Sequence, residues 1–166
     1  MVKKKISSNM EDYLEAIAFL KKRNGIARVR DIGRLLGVKS SSVNAALNTL
    51  SENGFAVHER YGYVELTREG ESLASSVQKR HDMLLKFLTQ ILKIDFEIAE
   101  SDACKMEHLV SPQTLRKITK FIEFVETCPD RDRPDWLKSF DHYFKTGKRI
   151  RCKVRQVKQK LKGREN

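Results

Sequence analysis

The stretch Arg28-Val-Arg-Asp-Ile-Gly-Arg-Leu-Leu-Gly37, continued by Val38-Lys39 and Ser40-Ser-Ser-Val-Asn-Ala-Ala-Leu-Asn-Thr-Leu50, decides the fold. Its first half is a short amphipathic run closed by glycine, the residue that ends a helix in the left-handed region without a steric penalty. The second half opens on three serines and brings Val43, Ala46, Leu47 and Leu50 to one helical face before Asn53-Gly54 stops it. Two short helices about a tight glycine turn make a helix-turn-helix. The outward positions of the second helix, Ser41, Ser42, Asn44, Ala45 and Asn48, are small or polar and suit phosphates and base edges in a major groove. Arg28, Lys39 and Ser40 join them as candidate DNA contacts.

Downstream, Phe55-Ala-Val-His-Glu-Arg-Tyr-Gly-Tyr-Val-Glu-Leu66 reads as two short strands about a turn at Tyr61-Gly62, which makes it a wing. Arg60 near its tip is a candidate phosphate or minor-groove contact, although an arginine at a loop tip is solvated by default. Upstream, Ser8 to Lys22 reads as a first helix, with Ser8 as N-cap, Glu11 three residues on, and Tyr13, Leu14, Ile17, Ala18 and Leu20 as its apolar stripe. Asp12 and Glu15 lie one turn apart on it; carboxylates in a first turn also serve the helix dipole.

Beyond the wing the pattern is helical throughout. Thr67 caps a long helix to about Lys93, Glu97 to Val110 forms the next, Ser111-Pro112 starts another over Gln113 to Glu126, and Trp136 to Phe144 gives a last short one. Leu84 to Leu92 and Leu115 to Val125 offer more apolar surface than a small helical unit buries internally, which predicts a homodimer. The fold class is therefore mainly α, an N-terminal winged helix-turn-helix followed by an all-helical dimerisation domain. We divide it as 1–72 winged helix, 73–144 helical domain and 145–166 basic tail.

On the Glu97 to Val110 helix, Cys104, Glu107 and His108 sit at i, i+3 and i+4, so a thiol, a carboxylate and an imidazole leave one helical face a turn apart. That mixture suits a first-row transition ion better than Ca²⁺ or Mg²⁺, and three ligands leave the site to be completed from another helix. The same three residues also describe a small buried cysteine beside a solvated Glu–His pair.

Charge and cysteine content narrow the function. The chain of 166 residues carries a formal net charge of +11, and from Tyr143 onward ten Lys and Arg face only Glu165, so +9 of it lies in the tail. A basic tail can bind DNA backbone, though it more commonly stays a solvated arm. Three cysteines at unpatterned spacing make no disulfide framework, and Cys128 and Cys152 read as structural or incidental. With no apolar stretch after the basic start and no run long enough for a membrane span, the expectation is a cytoplasmic protein without a membrane partner. Neither a phosphate-binding glycine loop nor a nucleophile constellation is present, so the chain reads as no enzyme and as having no small-molecule substrate.

Taken together, Met10-Glu-Asp-Tyr-Leu-Glu15, the winged helix, Arg80-His81 in the long helix and Ala103-Cys-Lys-Met-Glu-His108 followed by Ser111 resemble the metal-dependent repressors of the diphtheria-toxin-repressor and manganese-transport-regulator family. The resemblance spans roughly Ser8 to Val125. It implies metal ligands at Asp12 and Glu15, at His81, and at Cys104, Glu107 and His108. It also implies that the chain is too short for the SH3-like third domain of the longer iron regulators. The Asp12/Glu15 pair matches the manganese type, the iron type having methionine at the first of these positions, whereas Cys104 matches the iron type, the manganese type having glutamate there. The resemblance thus implies a divalent transition metal, Fe²⁺ favoured on thiolate softness with Mn²⁺ the alternative, at one or two ions per subunit. Metal bound between the halves would activate binding of the dimer to a palindromic operator in double-stranded DNA. A winged-helix regulator of another effector, a metal hydrolase and a purely structural zinc site remain the other readings.

Overall fold

The computed structural model describes residues 6–58, 62–128 and 133–149. Helix α1 (Ser8–Asn24) is followed by strand β1 (Ala27–Arg28), helices α2 (Val29–Leu36) and α3 (Ser40–Glu52), and strands β2 (Ala56–His58) and β3 (Tyr63–Leu66). Then come α4 (Arg68–Lys86), a π-helical turn over Phe87–Ile91, α5 (Phe96–Leu109), α6 (Pro112–Glu126) and α7 (Asp135–Thr146). The architecture is the expected one, a winged helix-turn-helix with a helical half behind it.

Local chemistry explains most boundaries. Gly37 ends α2 at φ +67 and returns its N–H to the carbonyl of Gly33, the tight turn that sets α3 across α2. Val43, Leu47 and Leu50 of α3 are almost fully buried against Leu14, Ile17 and Ile32. Truncating any one of these leucines to alanine removes its transfer energy and leaves a void, at about 2–5 kcal/mol.

The wing has a third strand that the sequence reading missed. Arg28 is not the first residue of a helix: Ala27 and Arg28 pair antiparallel with Val64 and Tyr63, and β3 pairs on its other side with β2 in the register Ala56 to Leu66. Two residues carry too little alternation to announce a strand, and their partner lies far along the chain. The expected turn at Tyr61-Gly62, with Arg60, falls partly outside the described residues.

Two other expectations change. The N-cap of α1 is Ser7 rather than Ser8, its side chain accepting from the Met10 N–H at 3.4 Å. The long fourth helix does not run as α-helix to Lys93: at Phe87–Ile91 it widens into a π turn, closed by Leu92 N–H donating to the Phe87 carbonyl. The wider turn lets Leu88 face the cluster of Leu84, Ala99, Ala103 and Leu115 while Ile91 faces Ile122 and Leu137. The carbonyls of Gln90 and Ile91 are taken by Arg133, which also makes a two-pronged pair with Asp141 of α7.

Helix α4 therefore joins the winged-helix core to the two clusters of the helical half. Its first turn sits hard on the winged helix, since a Cβ on Gly70 would lie 1.9 Å from the Phe55 carbonyl oxygen. Its middle, near Arg80 and His81, faces the start of α1 and the second half of α5. The metal-ligating residue types collect at that junction.

Candidate metal centre

Helix α1 enters the junction with Glu11, Asp12 and Glu15, α4 with Arg80 and His81, and α5 with Glu100, Cys104, Glu107 and His108. Among the described residues one group can hold a metal ion: Asp12, Glu15, Glu107 and His108, each offering a ligand atom, all within 4.8 Å of one another. The i, i+3 spacing of Asp12 and Glu15 and the adjacency of Glu107 and His108 make this possible, because each helix contributes two side chains reaching the same gap. Glu107 is 2 % exposed, a carboxylate buried to a degree that demands compensation.

The pairing around these groups is incomplete. His108 Nε2 lies 2.9 Å from Asp12 Oδ1 and 3.1 Å from Glu107 Oε1, yet it is buried and forms no well-aligned hydrogen bond to either. The other ring atom, His108 Nδ1, donates to Glu11 Oε2 at 2.7 Å. Bonds of about 2.1 Å put neighbouring ligands of an octahedron about 3 Å apart, so the spacing at Nε2 is that of donors around a small divalent ion.

The electrostatics point the same way. Burial raises the Glu15 carboxyl and the Glu107 charge adds to it, pushing its pKa from 4.5 to about 7. Burial likewise raises Asp12 against the opposing pull of His108, and raises Glu107 against that of His81 and His108. Burial works against protonation of the two histidines. In His81 the neighbouring Glu107 and Glu100 outweigh it, and in His108 the Glu11 hydrogen bond and the Asp12 charge do so, leaving both pKa values raised. The junction holds more negative charge than its own cations neutralise and retains protons to compensate. A divalent cation fits that deficit, and the residues present suit one.

Of the six expected ligands, four converge and two stand beside the group. His81 spends both ring nitrogens on carboxylates, Nδ1 on Glu107 at 2.9 Å and Nε2 on Glu100 at 3.3 Å. Cys104 is exposed on α5, its thiol pKa raised by burial and by the charges of Glu107, Asp12 and Glu15. Sequence reasoning missed Glu11 as a member of the site and gave it to a capping box. Its carboxylate instead crosses to Arg80 Nη2 at 2.9 Å and to His108. The only signal was its place next to Asp12, since its partners Arg80 and His108 lie 69 and 97 residues further along the chain.

In the helix-turn-helix, Ser40, Ser41, Ser42, Asn44, Ala45 and Asn48 of α3 are all exposed, as is Lys39 before them. The Arg28 guanidinium stacks over the Tyr63 ring at 5.3 Å, which holds it beside the wing. Arg60 lies outside the described residues. No helix among the described residues is long and apolar enough to cross a membrane.

Comparison with known proteins bears on both regions. Residues 5–64 match the iron dependent repressor N-terminal DNA binding domain, and residues 67–135 match the iron dependent repressor metal binding and dimerisation domain. The HTH-type transcriptional regulator MntR of Lysinibacillus sphaericus is 34% identical over 74% of this chain and 87% of its own length. The MntR of Bacillus subtilis is 33% identical over 79% of this chain and 90% of its own. Among solved structures, T. acidophilum IdeR shares 27% identity at a TM-score of 0.63 over 80% of this chain and 61% of that one. The manganese regulator SloR shares 26% at a TM-score of 0.63, over 75% of this chain and 58% of that one. The chain thus spans about three fifths of the length of these solved relatives.

Proposed function

The chain belongs to the iron-dependent repressor family, a family of metal-dependent transcriptional regulators and not of enzymes, and from that premise we propose how its residues couple metal to DNA. The observation that carries the proposal is the convergence of Asp12 and Glu15 from the winged-helix half with Glu107 and His108 from the helical half. These four residues hold a divalent first-row ion, Fe²⁺ or Mn²⁺, with Cys104 and His81 beside it as further ligands when they turn inward. A cation there supplies the positive charge that lets clustered carboxylates remain ionised together. Asp12 and Glu15 then bind α1 to α5, and the angle of the winged helix to the dimerisation half is held at one value.

The donor set divides the metals. Three carboxylates and an imidazole are hard to borderline donors that accept Mn²⁺, whereas engagement of the Cys104 thiolate favours Fe²⁺. Fe²⁺ is the favoured ion when Cys104 is engaged, and Mn²⁺ when it is not. One ion per subunit occupies the four-residue group; a second would draw on His81, Glu100 and Cys104.

The DNA-facing set is the exposed row of α3, with Lys39, Arg28 and the wing residue Arg60 on the flanking phosphates. Phe96, Ile98 and Leu109 of α5 and Phe124 of α6 are exposed apolar side chains in the helical half, and a second copy of the chain covers such a face. Two α3 helices related by a two-fold axis read a palindromic operator with half-sites a helical turn or more apart. The working parts are 1–72, 73–144 and the basic tail 145–166, whose residues from 150 on lie outside the described residues.

The deciding experiment selects bound sequences from random duplex DNA, anaerobically, with Fe²⁺, with Mn²⁺ and with chelator. A palindrome enriched only with metal, and lost in Glu107→Ala, is the expected result. Equal enrichment in chelator would remove the metal coupling and leave a winged-helix regulator of another effector.

A further inference from the structure

Glu11 is the carboxylate of the junction that no ligand assignment uses, and both of its oxygens are engaged. It follows Met10 on α1 and precedes Asp12, so its side chain leaves α1 about 100° around the axis from the Asp12 ligand. Only 13 % of that side chain is exposed, and both carboxylate oxygens have partners. Oε1 accepts from Arg80 Nη2 at 2.9 Å and Oε2 accepts from His108 Nδ1 at 2.7 Å. An ionised carboxylate only accepts, so Nδ1 carries the proton of this bond. The short contact is that of a charge-assisted bond.

We propose that Glu11 is the positioning residue of the metal centre: anchored by Arg80, its carboxylate holds the His108 ring with Nδ1 occupied and Nε2 turned toward Asp12 and Glu107. The proposal rests on the reading of Asp12, Glu15, Glu107 and His108 as the ligand group. With Nδ1 committed to Glu11, the atom on the far side of the ring is the one left facing the carboxylates, and it is the buried atom without a well-aligned hydrogen bond. A histidine that ligates through one nitrogen is oriented through the other, and carboxylates commonly do the orienting. Here the orienting carboxylate comes from the winged-helix half, the ring from α5 and the anchor from α4. Arg80→Glu11←His108 is therefore a chain of bonds across all three helices that needs no metal to form. It delivers the imidazole in its ligating orientation before an ion arrives.

Three arms test this on the full chain. In the metal-free protein in alkaline buffer, ¹⁵N spectra of histidine-labelled wild type must show the neutral His108 ring protonated on Nδ1, whereas an Nε2–H ring overturns the proposal without need of any variant. Second, Mn²⁺ titration followed by calorimetry is expected to show Glu11→Gln weakened about ten- to hundredfold with its stoichiometry kept, the range that loss of such an orienting partner produces. Unchanged affinity overturns it. Third, in a His108→Ala background Glu11→Gln adds no further loss if it acts through the ring; an additive loss makes Glu11 a helix strut and overturns the proposal. If wild type and His108→Ala bind Mn²⁺ equally, the ligand reading itself has failed, whichever tautomer is seen.

Discussion

Glu107 accepts a hydrogen bond from His81 Nδ1 at 2.9 Å while its other oxygen lies 3.1 Å from His108 Nε2, so one buried carboxylate stands between two imidazoles from different helices. Its pKa is nonetheless raised, because burial outweighs the attraction of both rings. The charge at this position is thus a cost to the metal-free fold and an asset only with a cation present.

Glu107→Gln separates these two effects. The variant keeps the shape and removes a charge that burial disfavours, so its metal-free melting temperature at alkaline pH is expected to equal or exceed that of wild type. The stabilisation that metal gives wild type, about 2.7 kcal/mol at a hundred times Kd, is expected to vanish, and with it the rise in melting temperature. Calorimetric melts with chelator and with Mn²⁺ measure both. A lower metal-free melting temperature in the variant would contradict the account.

The pH dependence of the metal-free protein follows from the same groups. Glu15 titrates near 7 in the fold against 4.5 when exposed, so between those values the folded state binds more protons than the unfolded one and stability falls as pH rises. His81 and His108 act in the same direction: their raised pKa values give stability that is present below 6.5 and lost as pH climbs through the folded values. Metal-free chain should therefore melt lower in alkaline than in mildly acidic buffer, and Glu15→Gln should flatten that slope. Metal affinity runs the opposite way, rising with pH as protons cease to compete.

Cys104→Ser tests the choice of metal. A hydroxyl keeps the size and removes the soft donor, so Fe²⁺ affinity is expected to drop by about tenfold or more while Mn²⁺ affinity changes little. Parallel anaerobic titrations of the two ions measure the ratio. Equal losses for both would mean that the thiolate does not select the metal.

Gly70→Ala addresses the link between the halves. With the Phe55 carbonyl oxygen 1.9 Å from the added Cβ, α4 must shift on the winged helix, at about 1–3 kcal/mol or more for an overpacked backbone contact. Denaturant unfolding should show that loss, and metal-dependent DNA affinity should fall with it because the displaced helix carries His81 and Arg80.

Much of this architecture was legible because it is local. Gly37, the serines at Ser40 to Ser42 and the spacing of Val43, Leu47 and Leu50 announce α2 and α3 within a few residues of one another, and backbone sterics with one-sided burial suffice to enforce them. The same holds for Cys104, Glu107 and His108, whose common face follows from helical pitch alone. The π turn at Phe87–Ile91 was not legible, since Leu88 and Ile91 answer to two different clusters that exist only after α5, α6 and α7 have packed.

What the sequence by itself determined is which side chains each helix presents: carboxylates on α1, the Arg80-His81 pair on α4, and the Cys104, Glu107 and His108 face on α5. Only the tertiary structure decided which of them meet. It put ligand atoms of Asp12, Glu15, Glu107 and His108 within 4.8 Å of one another, left Cys104 exposed beside them, spent His81 on Glu107 and Glu100, and took Glu11 from a capping role to the His108 ring. The physical reason is range: helical periodicity fixes directions over a turn or two, whereas these meetings depend on the relative placement of α1, α4 and α5, set by the winged-helix core, the helical-half core that α4 and α5 share, and the close seat of Gly70.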